Sequence, residues 1–315
     1  MNKKIFLASN FKYTPFQNFE KGDLQYLNSY GIEVVKEVKE ADIIISQNVK
    51  HIKPYIWRGI FGVKFLIWTN EPRFNTDMVS KVTKYLGLFT YHVMNIYTGD
   101  VFTSNTAFHC KRFKKALDSI SKPYALNNKK IVALMSYYKG LNTEPVIRNQ
   151  DNLDLISIRT QIALEGHKLN VLDVYGKGWP QGISKEDSRD GDWSTKKKAL
   201  LAPYNFNLCF ENTSSYNYMT EKIWDSIENC CLPIYYAKHT NAYTLFEEDS
   251  FIDYSKFNSP SLLFNFIENM TEDTFVKRMN SCIETYNILV ERGEEFKKEE
   301  RQRMLHAIVS KISNL

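Results

Sequence analysis

Short apolar runs alternate with segments of helical periodicity along most of the chain, and this alternation constrains the fold more than any other feature. We predict eight strands, at residues 5–8, 32–35, 43–46, 63–68, 131–136, 169–175, 206–210 and 232–236. Helices are predicted at 152–165, 196–202 and 220–231, and a long amphipathic helix follows at 273–312. Strands that alternate with helices are typical of α/β domains with parallel sheets. The sequence therefore predicts a Rossmann-like α/β architecture.

The length of the chain indicates more than one such domain. At 315 residues it exceeds the roughly 100–200 residues of a typical single domain. A basic segment at 111–128 contains Lys122-Pro123 and runs into Asn-Asn-Lys-Lys, a composition typical of a boundary. We predict an N-terminal domain at 1–128, a second domain at 129–285 and a C-terminal amphipathic helix at 286–315.

Composition and missing motifs exclude several classes of protein. The net charge of +5 is mild and suits anionic ligands, whereas nucleic-acid binding favours a concentrated basic stripe, which the sequence lacks. Neither half contains the glycine-rich dinucleotide motif or the P-loop motif, which disfavours an ordinary NAD enzyme or P-loop NTPase. Five cysteines without regular spacing favour a reducing compartment. With no recognisable secretion signal and no apolar run of about 20 residues, we predict a cytoplasmic protein, with peripheral membrane contact left open.

The segment 204–224 carries the most informative pattern. A buried strand ends in Phe-Glu-Asn at 210–212, a polar loop follows, and a helix begins near Met219. The first helical turn holds Thr-Glu-Lys at 220–222, where unpaired backbone N–H groups favour an anion. Because ligands of α/β folds bind at the carboxyl ends of strands, the pattern predicts a phosphate site here.

This segment resembles the signature of the family-10 α-1,3/4-fucosyltransferases, in which a strand ending in Phe-Glu-Asn precedes a Tyr-x-Thr-Glu-Lys motif. The matching residues are 210–212 and 218–222, and Leu-Pro-Ile-Tyr at 232–235 fits the next strand of the family. Upstream, Arg159 and the run at 171–178, which ends in Val-Tyr-Gly-Lys-Gly, extend the similarity. The resemblance covers about residues 130–240. In the first half, the strand ending in Trp-Thr-Asn-Glu-Pro at 68–72 is similar to a family strand that ends in a carboxylate.

The resemblance implies a GT-B fold, in which two Rossmann-like domains face each other across a cleft and C-terminal helices follow. It also implies an inverting transfer of L-fucose from GDP-β-L-fucose to a hydroxyl of an oligosaccharide or glycolipid acceptor. An α-1,3 linkage to GlcNAc or glucose of a cell-surface polysaccharide is the expected product. Two alternatives stay open, a GT-B transferase that uses another nucleotide sugar and a catalytically inactive nucleotide-sugar-binding protein.

The same resemblance assigns candidate site residues. Glu71 is the predicted catalytic base, which places acceptor binding in the N-terminal domain. The predicted donor-binding residues are Arg159, Asn212, Tyr218, Glu221 and Lys222. Arg159 and Lys222 are expected to neutralise the diphosphate, and the other three to hold ribose, base or fucose. An alternative for Glu71 is a surface turn with Pro72, and Asp100 is then the next candidate base.

The expected reaction requires no metal or cofactor beyond the donor substrate. Asp190-Gly191-Asp192 has the spacing of a GT-A cation site, but no strand precedes it, and a solvated turn is the alternative. The six histidines show no metal-ligand spacing. The apolar residues of the tail after Glu284 predict a helix that packs on the core, with a membrane-surface helix as the alternative.

Overall fold

The structure is a computed structural model that describes residues 2–8, 14–69, 71–72, 80–84, 87–94, 112–138, 140–188 and 192–315. The strands are β1 Lys3–Leu7, β2 Ile32–Val35, β3 Ile43–Ser46, β4 Lys64–Trp68, β5 Lys81–Lys84, β6 Phe89–Met94, β7 Ile131–Leu134, β8 Ile147–Arg148, β9 Asp151–Asn152, β10 Leu172–Tyr175, β11 Phe206–Leu208, β12 Leu232–Tyr235 and β13 Ile252–Asp253. The α-helices are α1 Asp23–Ser29, α2 Val49–Ile52, α3 Ile156–Lys168, α4 Trp193–Leu201, α5 Glu221–Glu228, α6 Pro260–Glu268 and α7 Glu272–Ser313. All eight predicted strands are confirmed, with ends that differ by at most three residues.

Two compact units divide the chain, residues 1–107 together with 297–315, and residues 108–296. We call them unit 1 and unit 2. The sheet of unit 1 has the order β2-β1-β3-β4-β6-β5, and its strands are parallel except for β5. Strand β3 is buried along its whole length, as expected for a central strand covered on both faces.

The sheet of unit 2 is entirely parallel, with the order β10-β7-β11-β12-β13. From β7 the chain first moves to β10 on one side and then to β11 on the other. The strand order therefore reverses between β7 and β11, and such a switch point leaves a crevice at the carboxyl ends of the two strands. Two Rossmann-like α/β units followed by C-terminal helices are the components of the predicted GT-B class, and this part of the prediction is confirmed.

The boundary between the units lies earlier than the predicted residue 128, because the segment 112–128 packs on unit 2. Asn287 of α7 donates to the carbonyl of Leu117 at 3.0 Å and accepts from its N–H at 2.8 Å. Asn280, two turns earlier on the same helix, makes the same pair of hydrogen bonds to Ile120 at 3.0 and 2.8 Å. Side-chain amides thus satisfy backbone groups of a segment that has no regular secondary structure of its own.

Helix α7 continues from unit 2 into unit 1. Its helical dihedrals are interrupted at Gly293, where φ is 51° and ψ is −129°. The apolar residues of its last turns are buried, namely Met304, Leu305, Ile308, Val309 and Ile312. The prediction that the tail packs on the core is confirmed, and a tail with these side chains inside the protein does not present them to a membrane. Within the described residues, no helix combines the length and the apolar character needed to cross a bilayer.

Candidate active site

The loop between β11 and α5 is organised by a buried carboxylate. Glu211 is only 2% exposed and lies three residues after β11. Its Oε1 accepts hydrogen bonds from the backbone N–H of Thr220 at 2.8 Å and from the Thr220 hydroxyl at 2.5 Å. Its Oε2 accepts from the Lys222 ammonium at 2.6 Å. Because a buried charge is tolerated only when it is paired and hydrogen-bonded, these three contacts fix the start of α5 against the end of β11.

Lys222 combines this ion pair with partial exposure. Its Nζ also donates to the Thr220 hydroxyl at 2.8 Å, and 29% of its side chain remains exposed. Burial disfavours the charged ammonium, but the carboxylates of Glu211 and Glu221 outweigh burial, and the pKa of Lys222 is raised. An ammonium carries three N–H donors, so a third remains beyond the bonds to Glu211 and Thr220. Lys222 is therefore a fixed cation that can still bind an anionic ligand.

Arg159 reaches the same place from α3. Asp154 begins that helix by accepting from the N–H groups of Ile156 at 3.1 Å and Ser157 at 3.2 Å. The chain just before α3 pairs with the chain just after Glu211, since Leu155 N–H donates to the carbonyl of Asn212 at 3.1 Å. This pairing brings Arg159 to the carbonyl of Phe210, where its guanidinium donates at 3.5 Å. The positive charge of Arg159 acts to lower the pKa of Lys222, but burial and the Glu211 and Glu221 carboxylates have larger effects.

A small pocket lies at the switch point of unit 2, and we call it the switch-point pocket. Its walls include Leu134 and Met135 at the end of β7, and Leu208, Cys209 and Phe210 at the end of β11. Its charged lining residues are Arg159, Lys197, Lys222 and Asp225. Three cations therefore share this wall with the Asp225 carboxylate, and carboxylates hold two of them, Lys197 and Lys222, in place. A wall of fixed cations of this kind favours an anionic ligand.

Lys197 is a lining residue that the sequence analysis missed. It lies on α4, and its ammonium forms an ion pair with Asp225 of α5. Asp225 is also bound by the guanidinium of Arg112, which contacts both carboxylate oxygens of Glu228 at 2.8 Å. The available signal was the Lys-Lys-Lys run at 196–198, but a charge run on a short helix is more typical of a solvated face.

The glycine-rich run after β10 supports the other wall of the switch-point pocket. Gly176 has φ of 153°, and a Cβ atom there would lie 2.2 Å from the carbonyl oxygen of Met135. Tyr137 N–H donates to the carbonyl of Lys177 at 2.8 Å, so the two loops run in close contact. Only glycine permits this approach, and the approach fixes the backbone at Met135.

The remaining predicted donor residues lie on the same loop and helix start. Asn212 follows Glu211, and its Oδ1 is buried without a hydrogen-bond partner among the described residues. A buried acceptor of this kind is unusual, and a ligand donor is one physical explanation for it. Tyr218 is buried within the loop, at 6% exposure. Glu221 is the first residue of α5, with one carboxylate oxygen 4.0 Å from the Lys222 ammonium.

The structure places the predicted catalytic residue in unit 1, at the carboxyl end of β4. Glu71 is exposed, and its N–H donates to the hydroxyl of Thr69 at 3.1 Å. This is the edge of a parallel sheet at which ligands of α/β folds bind. A position of Glu71 near the switch-point pocket stays a prediction. The second candidate base, Asp100, lies outside the described residues.

The Asp-x-Asp pair of the sequence is only partly described. Asp190 lies outside the described residues, and Asp192 accepts a hydrogen bond from the Thr195 hydroxyl at 2.6 Å in the first turn of α4. Asp192 thus lies directly before α4 and binds a side chain of its first turn. In the part of the chain that the structure describes, no group of three or more histidine, cysteine, aspartate or glutamate side chains is arranged to hold a metal ion.

A cationic pocket at the switch point of a parallel sheet is typical of α/β domains that bind phosphorylated ligands. Residues 143–289, which include Arg159 and the whole β11–α5 segment, match the family described as glycosyltransferase family 10 (fucosyltransferase), C-terminal part. Over this segment the chain is therefore similar to the family-10 fucosyltransferases.

Individual relatives agree with the family match. The GDP-fucose protein O-fucosyltransferase 3 of Rattus norvegicus is 32% identical over 134 residues, which cover 41% of this chain and 27% of that protein. The α-(1,3)-fucosyltransferase FucT of Helicobacter pylori is 41% identical over 63 residues, 20% of this chain and 13% of that protein. The matches thus span about a quarter or less of the length of these relatives.

Two solved structures resemble most of the chain at low sequence identity. A crystal structure of an α1,3-fucosyltransferase has a TM-score of 0.49 and 17% identity, covering 88% of this chain and 81% of that one. The T4 phage β-glucosyltransferase in complex with UDP-glucose has a TM-score of 0.45 and 11% identity, covering 96% of this chain and 99% of that one.

Proposed function

We propose that this chain is an inverting glycosyltransferase that moves L-fucose from GDP-β-L-fucose to a hydroxyl of an acceptor glycan. The observation that carries the proposal is the group of three cations, Arg159, Lys197 and Lys222, around one pocket within the family-10 segment. A diphosphate is the part of the donor that these cations fit. The buried Oδ1 of Asn212 offers an acceptor for a ribose, base or fucose donor group.

In the proposed reaction, unit 1 supplies the base and unit 2 binds the donor. A base removes the proton from the acceptor hydroxyl, whose oxygen attacks the anomeric carbon from the face opposite GDP. The bond from that carbon to the diphosphate oxygen breaks, which inverts the anomeric configuration and leaves negative charge on GDP. We assign the stabilisation of that charge to Arg159, Lys197 and Lys222, which line one pocket. Preorganised charges of this kind are the largest contribution to many enzymatic rates. Glu71 is the proposed base.

For the acceptor we propose an oligosaccharide or glycolipid, with an α-1,3 linkage to GlcNAc or glucose of a cell-surface polysaccharide. A polypeptide hydroxyl is a second candidate acceptor. The rat relative is named as a protein O-fucosyltransferase and the bacterial relative as an α-(1,3)-fucosyltransferase, so the similarity favours a common donor more than one acceptor.

We further propose that transfer needs no metal ion, because the three cations can supply the charge that a divalent ion supplies elsewhere. Activity that persists in excess EDTA would support this, and activity that is abolished by EDTA and restored by manganese would contradict it. The proposed compartment is the cytoplasm. The thiols at 209, 230, 231 and 282, which form no disulfide among the described residues, favour a reducing environment.

Two experiments test the proposed function. Thermal protection by GDP but not by UDP, ADP or CMP would distinguish a fucosyltransferase from a transferase of another nucleotide sugar. Incubation of a glycan panel and a peptide panel with GDP-fucose would then identify the acceptor class by mass spectrometry. Protection by GDP without transfer to any acceptor, and without hydrolysis of the donor, would favour an inactive nucleotide-sugar-binding protein.

A further inference from the structure

Four large apolar side chains of unit 1 are exposed together, and we call them the apolar patch. Trp57, Ile60, Phe61 and Leu88 are 52%, 77%, 75% and 75% exposed. The first three belong to the 3-10 helical segment Lys53–Phe61, which ends just before β4, and Leu88 lies just before β6. Strands β4 and β6 are parallel neighbours, so the residues in front of them lie side by side at the amino edge of the sheet. A Cβ atom on Gly59 would lie 3.2 Å from Cδ1 of Phe89, which confirms that the two segments are close.

The core of unit 1 does not use these side chains. Tyr55 and Ile56 of the same segment face inward and pack against the buried core cluster of the unit. The outward residues are nevertheless ordered among themselves. Trp57 and Phe61 form an edge-to-face pair with ring centroids 6.0 Å apart, and the Arg58 guanidinium lies 5.5 Å above the Trp57 ring. Arg58 also donates to the carbonyl of Lys39 at 3.1 Å. An ordered apolar surface that the core does not need is typical of a binding surface.

The charged residues around the apolar patch indicate the kind of partner that it binds. From residue 43 to residue 70 the sequence contains no acidic residue, but it contains Lys50, Lys53, Arg58 and Lys64. The three lysines are exposed. The segment that Arg58 contacts adds Lys39, Glu40 and Asp42, so basic side chains outnumber acidic ones at this edge of the sheet by five to two. Burial first, and then the positive charges of Lys311 on α7 and of Lys81 and Lys64 on the sheet, lower the pKa of His92 to about 4, so two further lysines lie on the same side of unit 1 as Lys64. A second copy of this chain would bring like charges together at this face, which disfavours self-association.

We infer that the apolar patch and its surrounding lysines dock unit 1 on an anionic lipid bilayer. Tryptophan and phenylalanine favour the boundary between lipid headgroups and acyl chains, and each nearby lysine adds attraction to anionic headgroups. The patch lies at the amino edge of the sheet, and Glu71 follows the carboxyl end of β4. Docking through the patch therefore leaves the Glu71 end of that strand uncovered. The inference does not depend on the proposed function.

Cosedimentation of the full chain with vesicles tests the inference. The probes are vesicles of phosphatidylglycerol and phosphatidylcholine in equal parts, and vesicles of phosphatidylcholine alone. The variant Trp57→Ser/Ile60→Ser/Phe61→Ser removes most of the apolar patch from exposed positions. Its matched control, Ile147→Ser/Leu169→Ser/Leu262→Ser, removes three apolar side chains of unit 2 that are 58%, 58% and 50% exposed. A third variant, Lys53→Glu/Lys64→Glu, reverses charge and keeps the patch.

We expect the wild-type chain and the matched control to bind the anionic vesicles, and to bind phosphatidylcholine at least about tenfold more weakly. The patch variant should lose at least about tenfold in affinity for the anionic vesicles, because three apolar side chains no longer enter the interface. The charge-reversal variant and high salt should both weaken binding. Equal binding by the patch variant, or no binding by the wild type, overturns the inference. Sedimentation that reveals a dimer dissociated by the patch variant would assign the patch to a second copy and overturn it as well.

Discussion

Glu211 and Lys222 form an ion pair at 2.6 Å that joins the end of β11 to the first turn of α5. The carboxylate is 2% exposed, whereas the lysine side chain keeps 29% of its surface exposed in the switch-point pocket. Glu211 therefore holds the ammonium in place, and its contact with Thr220 fixes the helix start at the same time. The pair links local folding to the binding site, because the residue that closes the loop also positions a cation for the ligand.

Replacing Lys222 tests this link. We expect Lys222→Ala to weaken GDP binding at least about tenfold, since a charge-assisted hydrogen bond contributes roughly 1.5–3 kcal/mol. The same change should lower the free energy of unfolding by about 3–5 kcal/mol, because it leaves the buried Glu211 carboxylate without its cation. Calorimetric titration with GDP and urea unfolding measure the two effects.

A double variant separates binding from stability. Glu211→Gln/Lys222→Met removes both charges, so it should recover part of the lost stability without recovering GDP affinity. Lys198→Ala is the matched surface control, because Lys198 is an exposed lysine of α4. Unchanged GDP affinity in a folded Lys222→Ala protein would remove Lys222 from the donor site.

Gly176 lies where the loops after β7 and β10 are in close contact, and its replacement is the second test. Gly176→Ala would place a Cβ atom 2.2 Å from the Met135 carbonyl oxygen, so the backbone at the pocket wall must move. We expect a loss of about 1–3 kcal/mol in stability and weaker GDP binding. Gly182→Ala is the matched control. Its φ is also positive, at 84°, but no atom lies within 4 Å of the added Cβ, so it should cost only about 1 kcal/mol of backbone strain and leave GDP affinity unchanged. Equal GDP affinity of the two variants would show that the contact does not shape the pocket.

The sequence predicted the strands and the β11–α5 segment well, because both follow from local patterns. Each predicted strand is a short apolar run, and burial on both faces of a parallel sheet requires that composition. Strand β5 was missed because Lys81–Lys84 is largely exposed and antiparallel at the sheet edge, so its residues carry no apolar run. Strand β13 has only two residues, too few for a periodic signal.

Long-range contacts explain the rest of the differences. Glu211 and Lys222 were both visible in the motif, but their ion pair depends on how the loop folds back on itself. Lys197 enters the pocket because Asp225 of α5 holds it, and no local pattern on α4 encodes that partner. The boundary between the units differs from the predicted one for a similar reason, since Asn280 and Asn287 lie more than 150 residues away from the segment that they hold.

Acid should destabilise the chain through His92. Burial first, and then the positive charges of Lys311, Lys81 and Lys64, lower its pKa from 6.5 to about 4 in the folded state. Between these two pH values the unfolded chain binds a proton that the folded chain does not, so the free energy of unfolding must fall as the pH falls through this window. Urea unfolding measures this effect. Between about pH 7 and about pH 5, the free energy of unfolding should fall more for the wild type than for His92→Gln. His306→Gln, at an exposed histidine of the same unit, should behave like the wild type. If the wild type and His92→Gln lose equal stability, His92 does not titrate in this way.

The last prediction concerns the role of Glu71 as the general base. This assignment rests on a short sequence match and on the position of Glu71 after β4. If Glu71 is the general base, Glu71→Gln should lower kcat by about 10²–10⁴, because it keeps the shape of the side chain and removes the proton acceptor. GDP affinity should stay unchanged, since the base contacts the acceptor and not the nucleotide. Lys222→Ala should instead weaken GDP binding, so the two variants together distinguish a catalytic base from a residue that binds the donor. Thr69→Ala adds a further distinction. It removes the hydroxyl that accepts from the Glu71 N–H at 3.1 Å, so it should reduce kcat to a smaller extent by loosening the turn. A Glu71→Gln protein with full activity would transfer the role of base to another acidic residue, with Asp100 as the next one to replace.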